Sequence, residues 1–168
     1  TYLLPYEEER IAKAIEAELD RNGQVFFVHN RVQSIDFMAR RLAELVPRAR
    51  FATAHGQMKE RTLEETMMKF VRKQIDVLVC STIIESGLDI PSVNTIIINE
   101  VDRFGLSQIY QLRGRVGRSS EMAYAYLLVS DDASLSREAE KRLRALMEFS
   151  HLGAGVQLAM HDLKIRGG

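Results

Sequence analysis

Short apolar runs alternate with amphipathic segments along most of the chain, and this alternation limits the possible folds more than any other feature. Runs typical of strands cover residues 24–28, 50–54, 76–80, 95–99 and 122–130. Segments with apolar residues at helical spacing cover 6–22, 34–46, 59–72 and 105–118. Strands that are apolar on both faces and alternate with helices favour a parallel sheet covered on both sides. The sequence therefore predicts a doubly wound α/β domain.

The pattern changes after residue 130. Residues 138–151 have helical spacing, Gly153 to Gly155 indicate a turn, and residues 157–165 suggest a second helix. We therefore expect a sheet domain over residues 1–130 and a C-terminal helical hairpin over 131–168. The first residue, Thr1, and the final Gly167-Gly168 after a charged run suggest that the chain is a fragment of a longer protein.

Charge and composition exclude several classes of protein. The 168 residues contain 23 Lys and Arg against 23 Asp and Glu, so any surface for nucleic acid has to be a local patch. The single cysteine excludes an internal disulfide and is typical of a reducing compartment, which predicts a cytoplasmic protein. Because no apolar stretch approaches the ~20 residues of a spanning helix, we expect no membrane partner.

Polar and small residues follow the predicted strands at the edge where ligands of parallel sheets gather. The first four strands are followed by His29-Asn30-Arg31, by His55-Gly56-Gln57, by Ser81-Thr82 and the stretch 85–89, and by Glu100, Asp102 and Arg103. Each loop alone is ordinary, since loops are polar. Together they predict an extended site along one edge of the sheet.

The sharpest local signal is the segment Gln111-Leu-Arg-Gly-Arg-Val-Gly-Arg118. On a helix, Gln111, Arg115 and Arg118 would form one polar stripe, although two interior glycines and clustered positive charges disfavour that helix. Arginine suits an anion site because its planar fork donates two hydrogen bonds to a phosphate and stays charged. We expect these arginines at the rim where the strands end, outside internal ion pairs. A solvated basic helix end is the plainer alternative.

These segments resemble the motifs of superfamily 2 helicases and translocases. Residues 111–118 look like motif VI, 80–91 like motif V, 25–31 like motif IV and 54–58 like motif IVa, in the expected order. The resemblance implies a second RecA-like lobe. The end of the chain, with Leu152-Gly-Ala-Gly155 and Asp162-Leu-Lys-Ile-Arg-Gly-Gly168, is similar to a translocation motif shared by transcription-repair coupling factors and branched-DNA recombination helicases. The exact sequences of residues 26–32, 55–61 and 161–167 favour the coupling factors.

The resemblance implies that ATP binds between two lobes, with the first lobe of the same protein supplying the phosphate loop and the acid that holds Mg²⁺. Arg115 and Arg118 match arginine fingers that would stabilise charge on the γ-phosphate, and Gln111 would couple that site to the rest of the lobe. Gly87 and Asp89 match positions that sense nucleotide. A loop cap before Pro91 is the plainer alternative for Asp89.

The resemblance also implies contacts to the backbone of double-stranded DNA. The matching residues are Asn30, Arg31, His55, Gly56 and Thr82, together with Arg142 and Arg166, which match arginines that relay lobe motion to DNA. Hydroxyls, amides and bare backbone N–H groups suit binding that ignores base sequence. As alternatives, Thr82 would cap a helix, His55 would stabilise a turn, and the arginines would be surface charges.

The chain contains no G-x-x-x-x-G-K-[ST] phosphate loop, and its histidines lack metal-ligand spacing. It would therefore hold half of an ATPase and be inactive alone. In the whole protein, RNA polymerase and nucleotide excision repair proteins would bind through other domains. The rivals are the same lobe of the recombination helicase, a non-catalytic nucleic-acid-binding module, and a small-molecule α/β enzyme.

Overall fold

A computed structural model describes residues 1–81, 90, 92–117, 121–130 and 137–149. Its centre is a sheet of six parallel strands in the spatial order β1-β6-β5-β2-β4-β3. The strands are β1 (Tyr2–Pro5), β2 (Gln24–Val28), β3 (Phe51–Ala54), β4 (Val77–Cys80), β5 (Val93–Ile98) and β6 (Tyr124–Val129). The parallel order confirms the predicted fold class.

Five helices cover the two faces of the described sheet. They are α1 (Glu8–Asp20), α2 (Ile35–Leu45), α3 (Glu60–Val71), α4 (Leu106–Arg113) and α5 (Arg137–Phe149). One apolar cluster packs Ile15 of α1 and Leu42 of α2 against the sheet. The other packs Phe70 of α3 and Ile109 of α4 against the opposite face. Strands β2, β4 and β5 are buried along their whole length, as their apolar sequences predict.

Strand β1 is a feature that the sequence analysis missed. Its four residues precede a strong helix, contain a proline, and pair with β6 more than a hundred residues later, with Tyr2 opposite Tyr126. Proline is tolerated at a sheet edge because an edge strand has one unpaired side. The sheet therefore has six described strands where five were predicted.

Helix α4 is shorter than predicted. It ends at Arg113 with Gly114 as its C-cap, whereas the periodicity suggested a helix to residue 118. Glycine disfavours the helix interior, and Gly117 has a φ of 84°, which a right-handed helix cannot contain. The prediction of one helical stripe is therefore wrong, because Gln111 lies on α4 and Arg115 lies beyond its end.

Helix α5 lies in the segment predicted as the start of the hairpin. Its Leu143 is buried in the cluster that contains Ile109 of α4. The turn at residues 153–155 and the second helix lie outside the described residues, so the domain boundary at residue 130 stays a prediction.

Candidate functional site

The loops after β2 and β3 lie at the carboxyl edge of the sheet, as predicted. Asn30 and Gly56 are exposed there, and His55 is half-buried. His55 begins a tight turn, since its Nδ1 accepts a hydrogen bond from the Gln57 N–H at 3.3 Å and its own N–H points to the Met58 sulfur at 3.3 Å. The turn leaves Gly56 as bare backbone beside an imidazole, an arrangement that suits a contact to a phosphate group.

Beneath this edge, His29 forms a buried polar cluster that the sequence did not single out. Asn99 donates its side-chain N–H to Nδ1 of His29 at 3.0 Å, and Nε2 lies 2.8 Å from the Ser34 hydroxyl. Because the amide nitrogen only donates, Nδ1 accepts and Nε2 carries the proton. Burial lowers the pKa of His29, with the nearby Glu100 acting in the opposite direction. The neutral ring therefore joins the ends of β2 and β5 to the start of α2.

Arg31 is held at the same edge by an ion pair with Glu100. Its Nε lies 2.9 Å from Oε2 of Glu100, and Arg103 approaches the same oxygen at 3.7 Å. The side chains of Arg31 and Arg103 are 43% and 59% exposed, so both guanidinium groups remain accessible. Glu100 adopts the left-handed conformation with φ 52°, which is uncommon outside glycine, asparagine and aspartate. Two arginines and one acid therefore form a shallow cationic cluster after β2 and β5.

The arginine segment, defined as residues 113–123 with Arg113, Arg115 and Arg118, does not share this edge. Gly114 and Val116, on either side of Arg115, line a pocket of about 280 Å³ with Thr1, Tyr124 and Ala125, at the amino ends of β1 and β6. The reason is geometric: a crossover helix returns the chain from the carboxyl to the amino end of the sheet, and eight residues span about 12 Å. The prediction that Arg115 lies at the rim where the strands end is therefore wrong.

The guanidinium groups of this segment have few partners. Arg115 is half-buried, and its side chain makes no ion pair or hydrogen bond within the described ranges, while its backbone N–H donates to the Leu112 carbonyl at 3.0 Å. Nη1 of Arg113 is buried without a hydrogen-bond partner, and the group lies 6.0 Å from the Tyr110 ring. The other arginines without a polar partner in the described part of the chain, Arg40, Arg72 and Arg137, are exposed. Among the described residues no acid pairs with Arg115, and an anion is the ligand that this segment suits.

A buried ion pair lies next to the arginine segment, and the sequence analysis did not predict it. Glu18 is 2% exposed on α1, on the same helical stripe as the buried Ile11, Ala14 and Ile15. Its carboxylate accepts two hydrogen bonds from Arg21, at 2.6 and 2.8 Å, and one from the Thr95 hydroxyl at 2.5 Å. Only Gly23, a position where a Cβ would lie 2.1 Å from Oε2 of Glu18, indicates crowding there.

Arg142 is the predicted DNA contact that lies in α5. Its guanidinium donates a hydrogen bond to the Asp102 carbonyl at 2.9 Å. The Asp102 carboxylate in turn accepts from the N–H and hydroxyl of Ser130. In this arrangement Arg142 fastens α5 to the chain that follows β5. Its role at DNA stays a prediction.

The remaining predicted residues lie outside the described residues. They are Thr82, Gly87 and Asp89 of the motif V stretch, Arg118 of motif VI, and Arg166 near the C-terminus. Among the residues that are described, no three His, Cys, Asp or Glu side chains come together in a way that could hold a metal ion. No helix in the described ranges is both long and apolar enough to span a membrane.

Comparison with known proteins agrees with this architecture. Residues 8–120 match the helicase conserved C-terminal domain. The chain is 56% identical to a transcription-repair-coupling factor of Staphylococcus haemolyticus and 53% identical to that of Myxococcus xanthus. Both alignments cover 99% of this chain but 14% of the relative, so the chain spans about a seventh of their length.

Two solved structures share the fold. RecG bound to a three-way DNA junction superimposes with a TM-score of 0.76 at 34% identity, over 99% of this chain and 22% of that one. The helicase Lhr of Mycobacterium smegmatis superimposes with a TM-score of 0.69 over 89% of this chain and 22% of that one, and its 15% identity supports the fold alone. The chain therefore belongs to the helicase conserved C-terminal domain family, with the RecA-like fold of that family and a sequence similar to transcription-repair coupling factors over nearly its whole length.

Proposed function

We propose that this chain is the second motor lobe of an ATP-dependent double-stranded DNA translocase that couples transcription to DNA repair by displacing stalled RNA polymerase. The main support is that two half-buried arginines, Arg113 and Arg115, lack acidic partners within the described residues. Donors left unsatisfied at a protein surface suit a ligand that supplies the missing acceptors. The 53–56% identity to coupling factors supports the assignment to repair.

In this proposal ATP, with Mg²⁺ held by the first lobe, supplies the phosphoryl group whose transfer drives movement. Arg115 and Arg118 donate hydrogen bonds to the γ-phosphate oxygens and stabilise the charge that develops there. Gln111, exposed on α4 one turn before Arg115, links this site to the body of the lobe. Gly87 and Asp89, which follow β4 in the sequence, contact the nucleotide in this proposal. Arg115 fits this role because its charge is not neutralised by a neighbouring acid in the described structure.

The carboxyl edge of the sheet binds the DNA backbone in this proposal. Asn30, Arg31, His55 and Gly56 offer an amide, a guanidinium, an imidazole and bare backbone to phosphates, and Thr82, Arg142 and Arg166 extend the track. Because the net charge is zero, we expect the isolated chain to bind DNA weakly and with a steep dependence on salt. We also expect it to hydrolyse no ATP alone. RNA polymerase and nucleotide excision repair proteins bind other domains, and we expect the protein in the cytoplasm.

The test is Arg115→Ala in a full-length coupling factor that carries this lobe. Removing an arginine finger lowers the rate by about 10³-fold or more, so we expect kcat for DNA-stimulated ATP hydrolysis to fall by that order while nucleotide-free DNA binding persists. Arg40→Ala is the matched control, because Arg40 is an exposed arginine without a partner among the described residues. Unimpaired hydrolysis in Arg115→Ala would favour the non-catalytic module.

The second candidate is the motor lobe of a branched-DNA recombination helicase, which the 34% identity to RecG supports. The two are distinguished in the full-length protein by the substrate on which ATP hydrolysis acts. Release of a stalled RNA polymerase supports the coupling factor. Unwinding of a three-way junction without polymerase release supports the recombination helicase.

A further inference from the structure

We propose that Arg21 is a positioning residue for the arginine segment, which carries Arg115 and Arg118. The inference rests on the proposed function, because it concerns how the two arginines are held for their work. Arg21 lies just after α1, in a part of the chain that no resemblance links to ATP. Its guanidinium contacts both the Glu18 carboxylate and the Met122 carbonyl, and these two contacts support the proposed role.

One side of the guanidinium is fixed by a buried carboxylate. Glu18, whose side chain is 1% exposed, accepts from Nε and Nη2 of Arg21. The Thr95 hydroxyl of β5 donates to the same carboxylate. Hydrogen bonds to both carboxylate oxygens define the plane of the guanidinium as well as its position. The Arg21 head group is therefore anchored to α1 and, through Glu18, to the central sheet.

The other side of the guanidinium contacts the arginine segment and the strand that follows it. Nη2 of Arg21 donates to the Met122 carbonyl at 2.6 Å, and Cζ lies 5.0 Å from the Tyr124 ring centroid. The Tyr124 ring stacks in turn near Tyr126, with centroids 6.4 Å apart. Met122 is 67% exposed, so packing of its side chain does not fix this part of the chain. The hydrogen bond from Arg21 fixes the backbone there.

A close contact connects Met122 to the two arginines. Gly117, with φ 84°, lies against Ala123 so closely that an added Cβ would be 3.0 Å from the Ala123 Cβ. Ala123 follows Met122, and Gly117 lies between Arg115 and Arg118 in the sequence. At the other end of the segment, α4 is fixed by the buried Ile109 and Leu112. Arg21 therefore fixes the backbone at Met122, and α4 fixes the start of the arginine segment.

This position matters because catalysis by a guanidinium depends on placement. A displacement of about 1 Å can lower a rate by about 10²-fold. Arg21 acts through the backbone of Met122, so it is not expected to touch the phosphate itself. Its loss should lower the rate of hydrolysis and leave nucleotide affinity largely intact.

The experiment measures ATP hydrolysis in a full-length coupling factor that carries this lobe. For Arg21→Met we expect kcat per folded protein to fall roughly tenfold to a hundredfold, with KM for ATP changed less than threefold, following the cost of misplacement. Arg21→Lys keeps the charge beside Glu18 and should recover part of kcat. Arg48→Met is the matched control, since Arg48 also donates to a main-chain carbonyl and an acid of α1 but lies away from the arginine segment.

Thr95→Val separates positioning from simple loss of stability. This change weakens the Glu18 cluster and leaves the bond from Arg21 to Met122 in place, so kcat per folded protein should stay near wild type. Hydrogen exchange of the 168-residue chain gives a second measurement: Arg21→Met should speed exchange of the amides at 115–117 and 122–124 and leave β2 and β4 unchanged. If Arg21→Met does not fold, Arg21→Lys carries the test with the same two measurements.

Two results would overturn the inference. One is an Arg21 variant with normal kcat, and the other is an equal loss of kcat in Thr95→Val. Either result, together with a large loss in Arg115→Ala, leaves the proposed function standing and removes only the role of Arg21. Normal hydrolysis in Arg115→Ala removes the proposed function itself.

Discussion

Two ion pairs anchor the two ends of the sheet, and they differ in depth. At the amino end, Glu18 and Arg21 have side chains that are 1% and 26% exposed. At the carboxyl edge, Glu100 and Arg31 are 24% and 43% exposed. Breaking a buried pair leaves a charge without water or a partner, whereas an exposed pair exchanges its partner at little cost. The comparison shows that one arginine is committed to the structure and the other is available to a ligand.

The sharpest way to break the buried pair is Gly23→Ala. The new Cβ would lie 2.1 Å from Oε2 of Glu18, so the carboxylate has to leave its donors. We expect the free energy of unfolding to fall by about 3 kcal/mol, as measured by denaturant titration. Gly105→Ala is the control, because its Cβ would meet only the Gln108 Oε1 at 3.6 Å, and it should cost less than about 1 kcal/mol. Equal losses in both variants would contradict the crowding at Glu18.

A smaller loss is expected from Thr95→Val, which removes one donor to Glu18 without changing the side-chain shape. A hydrogen bond to a charged group is worth about 2 kcal/mol, so the free energy of unfolding should fall by about that amount. Thr66→Val is the control, since the Thr66 hydroxyl donates to the Thr62 carbonyl on an exposed face. A neutral Thr95→Val would mean that Glu18 does not need this donor.

His29 gives the carboxyl edge a dependence on pH. Because burial lowers its folded pKa, the unfolded chain takes up a proton first as pH falls. The contribution to stability is complete above the unfolded pKa of about 6.5 and is lost as pH falls through the lower folded value. We expect the free energy of unfolding, measured by urea titration, to decrease from pH 7.5 to pH 5.5. The decrease should be smaller than the loss caused by Thr95→Val. His29→Gln should flatten this decrease, and an equally steep decrease in that variant would assign it to another group.

The smallest effect on stability is expected from Glu100→Gln. An exposed pair contributes little, so the free energy of unfolding should change by no more than about 0.5 kcal/mol. Release of Arg31 should tighten DNA binding and steepen the slope of log affinity against log salt by about 0.9, the equivalent of one phosphate contact. Glu44→Gln is the control, since it removes the same charge from an exposed pair with Arg41 on α2. An equal change of DNA affinity in both variants would mean that the net charge of the protein, and not the release of Arg31, causes the effect.

The central strands and the helices α1 to α3 were predictable because each carries its own periodic apolar pattern. Strand β1 was not, because its pairing with β6 is set by tertiary contacts rather than by its four residues. The end of α4 was misjudged because periodicity continued past Gly114, while the backbone needed Gly117 at positive φ. The local pattern was overruled at β1 by pairing with a distant strand, and at α4 by the conformation of nearby glycines.

The candidate residues were predictable by type but not by arrangement. Arginines and bare backbone at strand ends point to phosphate ligands, and the structure leaves Arg115 without an acidic partner in its described part. Arg115 is separated from the carboxyl edge because α4 returns the chain toward the amino ends of the strands, a direction that the helical periodicity does not reveal. The Glu18–Arg21 pair was missed because an acid and a base three residues apart usually face water, although the place of Glu18 on the apolar stripe of α1 was a sign of burial.

The partner of β1 has a consequence for synthesis on the ribosome. Tyr2 pairs with Tyr126, so the first strand is made long before its neighbour exists. At about 5–20 residues per second, the nascent chain waits roughly 6–25 s before that neighbour has been translated. During this delay the N-terminal strand has an unsatisfied edge, which is the condition under which chaperones and aggregation compete for a new polypeptide.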